Sequence, residues 1–375
     1  MMRRKLGGRR VNWNLAVIPV LVLLIVISLI NMRNADYYSG DLFHQRQVIW
    51  YLLAIIVAVV VAVLDFRLFE RLAWPIYITV VVLLLVTLLW GKEVNNSRRW
   101  LEILGLTVQP SEYLKLALIL LLARELRERH RPEYHTLRSL WKIFLYVMGP
   151  ALLVLMEPDL GTTLLCLVVA FTMILYEGMR LPSFLWLVGA VAVVFPVAWQ
   201  FDLIQEYQKN RFRLWMNPEQ FKWDPEAKKI LDKNMQPEQA VWAIGAGGFL
   251  GKGAHMGSKS RLKYLPEMQT DFIITTYAEE RGFVGCMFLL SLYLALLLWG
   301  LYVARLARDR FGVLVAVGVT AYLAWQTFMN IGMVTGLLPV VGITLPFLSY
   351  GGSSLLSVMA GIGLLFNIAW FKGRA

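Results

Sequence analysis

Hydrophobic residues fall in long blocks along the chain, and polar residues gather in short gaps between them. The apolar blocks occupy 13–30, 48–64, 73–90, 113–126, 143–156, 160–176, 183–199, 283–304, 312–334 and 353–370. Crossing about 30 Å of hydrocarbon takes about 20 helical residues, so the pattern predicts about ten membrane-spanning helices, two of them from blocks short of that length. One gap is much longer than the rest: residues 201–270 are polar and rich in glycine, which predicts a large loop between spans seven and eight. The expected fold is an all-α polytopic membrane protein, one integral membrane domain over 1–375.

Two stretches break the simple pattern. From Asp271 to Ala304 the chain is too long for one ordinary span and is interrupted by Glu279-Glu280-Arg281-Gly282. A half-helix from Asp271, a charged break and then the true span are expected there. The stretch from Gly336 to Ser354 is apolar yet carries Pro339, Pro346, Gly351 and Gly352, so it cannot be a clean helix. Irregular backbone at membrane depth is tolerated only where protein or a water-filled cavity covers it, which predicts a re-entrant wall.

Composition agrees with the pattern. Of 375 residues, 58% are hydrophobic and only 17% charged, with a mean hydropathy of +0.59, far from the soluble balance. A net charge of +12 would suit nucleic acid, but the cations lie where topology places them. Arg3, Arg4, Lys5, Arg9 and Arg10 precede the first span, and Arg67, Arg71, Arg124, Arg127, Arg129, Arg305, Arg308 and Arg310 mark alternate gaps. By the positive-inside rule these gaps and both termini are cytoplasmic and 201–270 lies outside; no nucleic-acid partner is expected. No small-residue cleavage pattern follows Ile30, so the first span is expected to be retained.

Several chemistries are excluded. Cys166 and Cys286 fall inside spans and read as packing residues rather than a disulfide. The four histidines show no zinc spacing. The glycine-rich stretch from Gly245 to Gly253 lacks the glycine a phosphate loop needs at Ala246 and the hydroxyl it needs at Gly253, so no nucleotide cofactor is expected. Its glycines offer close backbone approach and positive φ instead.

The charged residues at the spans' outer ends carry the candidate chemistry. A carboxylate at bilayer depth costs about 2.5–3.5 kcal/mol on insertion scales and usually serves a cavity, partner or proton, which singles out Asp271; the alternative is a helix N-cap. Arg98 and Arg99 precede Trp100 in an outer loop, where cations are unexpected, and lipid head groups are their alternative partners. Glu112 and Lys115, at i and i+3 after Pro110, share a helix face and suit an ion pair. Asp159 reads as an N-cap, and Glu279, Glu280 and Arg281 as a mutually paired cluster.

Together these strings resemble the SEDS family of peptidoglycan glycosyltransferases. The resemblance rests on Arg99-Trp100, Gln109-Pro110-Ser111-Glu112 with Lys115, Pro158-Asp159-Leu160-Gly161-Thr162, Ile244 to Gly248 with Gly251-Lys252-Gly253, Tyr264 to Glu267, Thr270-Asp271-Phe272-Ile273, Asn330 to Met333, and Ser349 to Ser354. These run in the family's order over almost the whole chain. Tyr207-Gln208 with Arg211 resembles the family's elongation enzymes more than its division enzymes. Departures include Gln269 for a usual histidine, Ala246 for a serine and Glu157 for a glutamine.

The resemblance implies polymerisation of lipid II into β-1,4-linked glycan outside the cytoplasmic membrane, with release of undecaprenyl pyrophosphate. It implies Asp271 as the catalytic base, and Arg99, Glu112, Lys115, Lys252 and Ser353 as substrate-binding residues, with Arg98 a further candidate beside the leaving group. Glu112 could orient a cation or the acceptor, or hold a divalent cation such as Mg as cofactor by carboxylate and phosphate oxygens together, with no metal ligand firmly assigned. The expected partners are lipid II, the nascent glycan strand, a class B penicillin-binding protein transpeptidase, elongation complex proteins and membrane lipids. A flippase of lipid-linked precursor and a scaffold stay open as other readings of the same broken helices.

Overall fold

A computed structural model describes residues 13–39, 42–94, 97–103, 106–129, 136–186, 189, 196, 200–201, 206–216, 236–256 and 269–371. Eleven helices are defined here among them. They are α1 (Trp13–Ser39), α2 (Phe43–Val63), α3 (Phe66–Trp90), α4 (Pro110–Glu128), α5 (Leu137–Met156), α6 (Leu160–Glu177), α7 (Glu206–Met216), α8 (Gln236–Gly247), α9 (Ile273–Leu306), α10 (Arg310–Val334) and α11 (Gly352–Phe371). Eight of these are long and apolar enough to cross a membrane. The block 113–126 runs as α4, whose buried residues include Glu112, Lys115 and Glu125 beside its leucines; the charges lower its hydropathy, and burial inside the bundle makes it tolerable. The block 183–199 lies mostly outside the described residues.

The all-helical expectation needs one addition. Between α3 and α4 the chain forms a three-stranded antiparallel sheet in the order β1 (Lys92–Val94), β2 (Ser97–Ile103) and β3 (Leu106–Val108). Successive side chains of a strand face opposite sides, so Arg98 and Arg99 part company. Arg98 turns to Glu93 at 3.4 Å on the exposed side, whereas Arg99 turns toward the helices.

The predicted half-helix is present. Gly282, at φ 64° and ψ −164°, breaks α9 into 273–281 and 283–306. The glycine-rich segment after α8 closes on this break: Lys252 and Gly253 donate backbone N–H groups to the Glu279 and Glu280 carbonyls, and Phe283 and Val284 donate to Gly248 and Phe249. A Cβ on Gly282 would overlap the Gly251 nitrogen, and its backbone region is essentially reserved for glycine. Gly282→Ala is therefore expected to cost at least about 1–3 kcal/mol and to lower the melting temperature of the detergent-solubilised chain. An unchanged melting temperature would show that the break does not depend on this close approach.

The acidic residues at the break do not form the self-contained cluster expected from sequence. Glu279 pairs with Lys252 at 2.9 Å, and Glu280 accepts from the Asn34 amide of α1 and the His255 backbone. Partners arrive from two separate segments, α1 and the glycine-rich stretch after α8, because the break exposes both carboxylates to the bundle interior.

Residues 336–351 form the expected non-helical wall, and other helices satisfy its carbonyls. Ser28 and Tyr51 donate to the Phe347 carbonyl at 3.0 and 2.7 Å, Tyr293 donates to Pro346, and Gln326 and Asn330 of α10 donate to Thr344 and Ile343. Phe347 has φ 68°, unusual for a bulky residue, and is 2% exposed. Such strain persists only where surroundings over-determine it, which these hydrogen bonds do.

Candidate functional site

Asp271 stands just before α9, and the helix N-cap itself is Phe272, which makes no side-chain capping bond. Its segment is tied to its surroundings through backbone carbonyls. Asn330 donates its amide to both the Asp271 carbonyl at 2.9 Å and the Ile343 carbonyl at 2.7 Å, so one side chain of α10 ties the carboxylate's segment to the wall. Ser349 donates to the Thr270 carbonyl at 2.6 Å, and the Tyr350 N–H donates to that of Gln269. Gly342, at φ 76°, lies beside the acid: a Cβ there would stand 3.5 Å from Asp271 Oδ2. The missing side chain leaves room next to the carboxylate.

The wall's other side meets α6. A Cβ on Gly161 would come within 2.6 Å of the Val341 carbonyl oxygen, so the α5–α6 turn presses against the backbone that borders Asp271. Arg99 reaches this turn from β2 and donates Nε to the Glu157 carbonyl at 3.0 Å and an Nη to the Pro158 carbonyl. Asp159 caps α6 as expected, accepting from Thr162 N–H at 3.1 Å and Thr162 Oγ1 at 3.0 Å. It also accepts from Gln109 at 3.2 Å. Gln109 in turn donates its backbone N–H to Ser353 Oγ at 3.0 Å, joining α4, α6 and α11.

One turn along α4, Glu112 and Lys115 pair at 2.6 Å, with Lys115 also 4.9 Å from the Tyr322 ring centre. Ser357 donates to the Glu112 carbonyl. The residues around Glu112 do not fit a resident metal: its Oε2 already accepts from Lys115, and no group of three metal-ligating side chains occurs among the described residues. Of the residues expected from sequence, Asp271, Arg99, Glu112, Lys115 and Ser353 thus border the wall or the helices that hold it. Lys252 lies at the far end of the half-helix with Glu279, and Arg98 faces away.

Sequence reasoning gave no role to Gln109, Glu157 or Asn330, which it met only inside family strings or as a departure from them, and passed over Gln326. Gln326 and Asn330 carried a usable signal, two amides at i and i+4 within an apolar helix, which share a face. Glu157 stood out only as a departure from the glutamine usual in the family. It is 1% exposed, and neither carboxyl oxygen has a hydrogen-bond partner among the described residues. Burial, reinforced by the nearby Asp159 carboxylate and opposed by Arg99, pushes its pKa from 4.5 up to about 8.

Between those values the folded chain keeps a proton that the unfolded chain releases. The associated stability is complete below about pH 4.5 and is lost as pH rises to about 8. Glu157→Gln, an isostere of the neutral acid, should therefore stabilise the chain by about 1–3 kcal/mol near pH 9 and scarcely at all below pH 5. Thermal melts at both pH values test this, and equal shifts would mean that Glu157 is not protonated.

The sequence profile of the FtsW/RodA/SpoVE family, described as cell cycle proteins, matches residues 9–373. The peptidoglycan glycosyltransferase MrdB of Escherichia coli K12 is 34% identical over 359 residues, 96% of this chain and 94% of that protein. A chain from a peptidoglycan synthase complex, solved to explain coordinated polymerisation and crosslinking, superposes with a TM-score of 0.80 at 28% identity, covering 96% of this chain and 98% of its own. The crystal structure of the rod shape determining protein RodA of Thermus thermophilus superposes with a TM-score of 0.69 at 26% identity, covering 95% and 97%.

Proposed function

Because this chain belongs to the FtsW/RodA/SpoVE family, we propose that the acid and cations gathered along its re-entrant wall polymerise lipid II. The protein is a multi-pass membrane peptidoglycan glycosyltransferase of the SEDS type, more like RodA than FtsW. The observation that carries the site is Asp271, fixed by Asn330 through its carbonyl while Gly342 keeps the space beside its carboxylate open.

Forming a β-glycoside from an α-linked pyrophosphate inverts the anomeric carbon in one displacement. The acceptor 4-hydroxyl attacks, the bond to the pyrophosphate oxygen breaks, and the hydroxyl proton goes to Asp271 as general base. The pyrophosphate departs ionised and needs its growing charge met rather than a proton. Arg99 is suited to this by its fork of donors, and the Lys115 ammonium, balanced by Glu112, adds positive charge deeper in the bundle. Ser353 holds Gln109, and Lys252 holds the half-helix through Glu279; in this reading both shape the site. The apolar wall offers a surface for the polyprenyl tail.

The same reading puts Asp271 and the 201–270 stretch on the extracytoplasmic side and both termini in the cytoplasm, which the basic gaps support. The similarity to a chain from a peptidoglycan synthase complex supports a class B penicillin-binding protein as partner, within the elongation machinery. Labelled lipid II incubated with the purified chain and its cognate transpeptidase should yield glycan polymer cut by a β-1,4-specific muramidase. Absence of polymer with the partner present would defeat the proposal and return the flippase reading.

A further inference from the structure

A second charged site lies at the opposite end of α4. Arg124 follows Glu112 by twelve positions, about 18 Å of helix at 1.5 Å per residue. There, Arg124 and Arg127 of α4 and Arg67, Glu70 and Arg71 of α3 line a cavity of about 470 Å³, within the range of ligand sites. The spacing is helical on both sides: positions 67, 70 and 71 share one face of α3, and 124 and 127 share one of α4.

The cations in this cavity are not equally engaged. Arg127 pairs with Glu70. Arg124 pairs with Glu128 at 3.1 Å and donates to the Glu70 carbonyl at 3.2 Å. Arg67 and Arg71 are exposed, and their side chains make no hydrogen bond or ion pair among the described residues. Two carboxylates thus offset two of four guanidiniums, and the remaining positive charge points to an anionic ligand. One turn deeper, Trp74 donates to Glu125 at 3.3 Å, which joins the two helices behind the cavity.

Placement decides what kind of anion. Arg67 and Arg71 occupy the first two turns of a membrane-spanning helix, and Leu68 and Leu72, each next after one of them, are exposed large apolar residues. A ligand reaching both sets needs phosphate at one end and hydrocarbon at the other. We propose that this cavity is a binding site for the phosphate headgroup of an anionic phospholipid, with acyl chains along Leu68 and Leu72. Basic pockets between transmembrane helices at a membrane surface bind such headgroups.

Native mass spectrometry of the full chain in detergent, titrated with cardiolipin or phosphatidylcholine, tests this. Selective retention of cardiolipin by the wild type is expected. At roughly 1 kcal/mol for each basic residue near an anionic surface, Arg67→Ala with Arg71→Ala should weaken retention about thirtyfold. The comparison pair, Arg305→Ala with Arg308→Ala, removes exposed cations from the same end of the bundle, where the Phe66 ring of α3 packs against Phe311 with centroids 5.2 Å apart. It should retain cardiolipin as the wild type does.

Equal loss in both variant pairs, or no preference over phosphatidylcholine, would overturn the site. Inorganic phosphate provides the other arm. Displacement of cardiolipin by millimolar phosphate would assign the cavity to a soluble anion and overturn the lipid assignment. Both variants keep the residues around Asp271, so polymerisation per folded molecule in detergent should be unchanged.

Discussion

Asp271→Asn is expected to lower the rate of glycan polymerisation by about 10²–10⁴-fold, the usual contribution of general-base catalysis, while the chain stays folded. The substitution keeps the side chain's shape and removes its basicity. The Asn330 contact to this position goes to the Asp271 main-chain carbonyl, and the substitution leaves it in place. Melting temperature and lipid II binding should stay near wild type while single-turnover polymer formation collapses. That split is the decisive measurement: a folded variant that polymerises at the wild-type rate would remove Asp271 from the chemistry. Equal losses of folding and activity would instead make it structural.

The second large effect concerns the ion pair inside α4. Lys115→Met should destabilise the chain by about 3–5 kcal/mol, because it leaves the Glu112 carboxylate buried without its cation. The Lys115 side chain is 1% exposed and that of Glu112 10%, so water cannot substitute for the lost partner. Replacing both residues, Lys115→Met with Glu112→Gln, should recover most of that loss, since the isolated charge is then gone. If the ammonium also offsets charge on the departing pyrophosphate, the refolded double variant stays roughly 10²-fold slow. A double variant with both stability and rate restored would confine the pair to holding α4 in place.

Much of the fold was legible because it follows from local composition. Apolar blocks of span length can only be satisfied by helices in a bilayer, proline and glycine ruled out a helix at 336–351, and Gly282 among charges announced the break in α9. The Glu112–Lys115 pair was legible for the same reason, since i and i+3 on a helix meet whatever surrounds them. The small sheet was missed, as its strands of three, seven and three residues give too short an alternation to stand out.

The sequence by itself determined the membrane class, the breaks in its helices and the acid at the mouth of one of them. Only the tertiary structure decided which charges meet. Arg99 was separated from its neighbour Arg98 by a strand's alternation, and Glu279 was joined to Lys252 rather than to the adjacent charges. The Glu157 carboxyl was left buried with no hydrogen-bond partner among the described residues, and four arginines of α3 and α4 were gathered around one cavity. The physical reason is that local periodicity fixes which face of a helix a residue occupies, but the neighbour of that face is chosen by packing among many similar apolar surfaces. Contacts between residues tens or hundreds of positions apart are therefore set by the bundle as a whole.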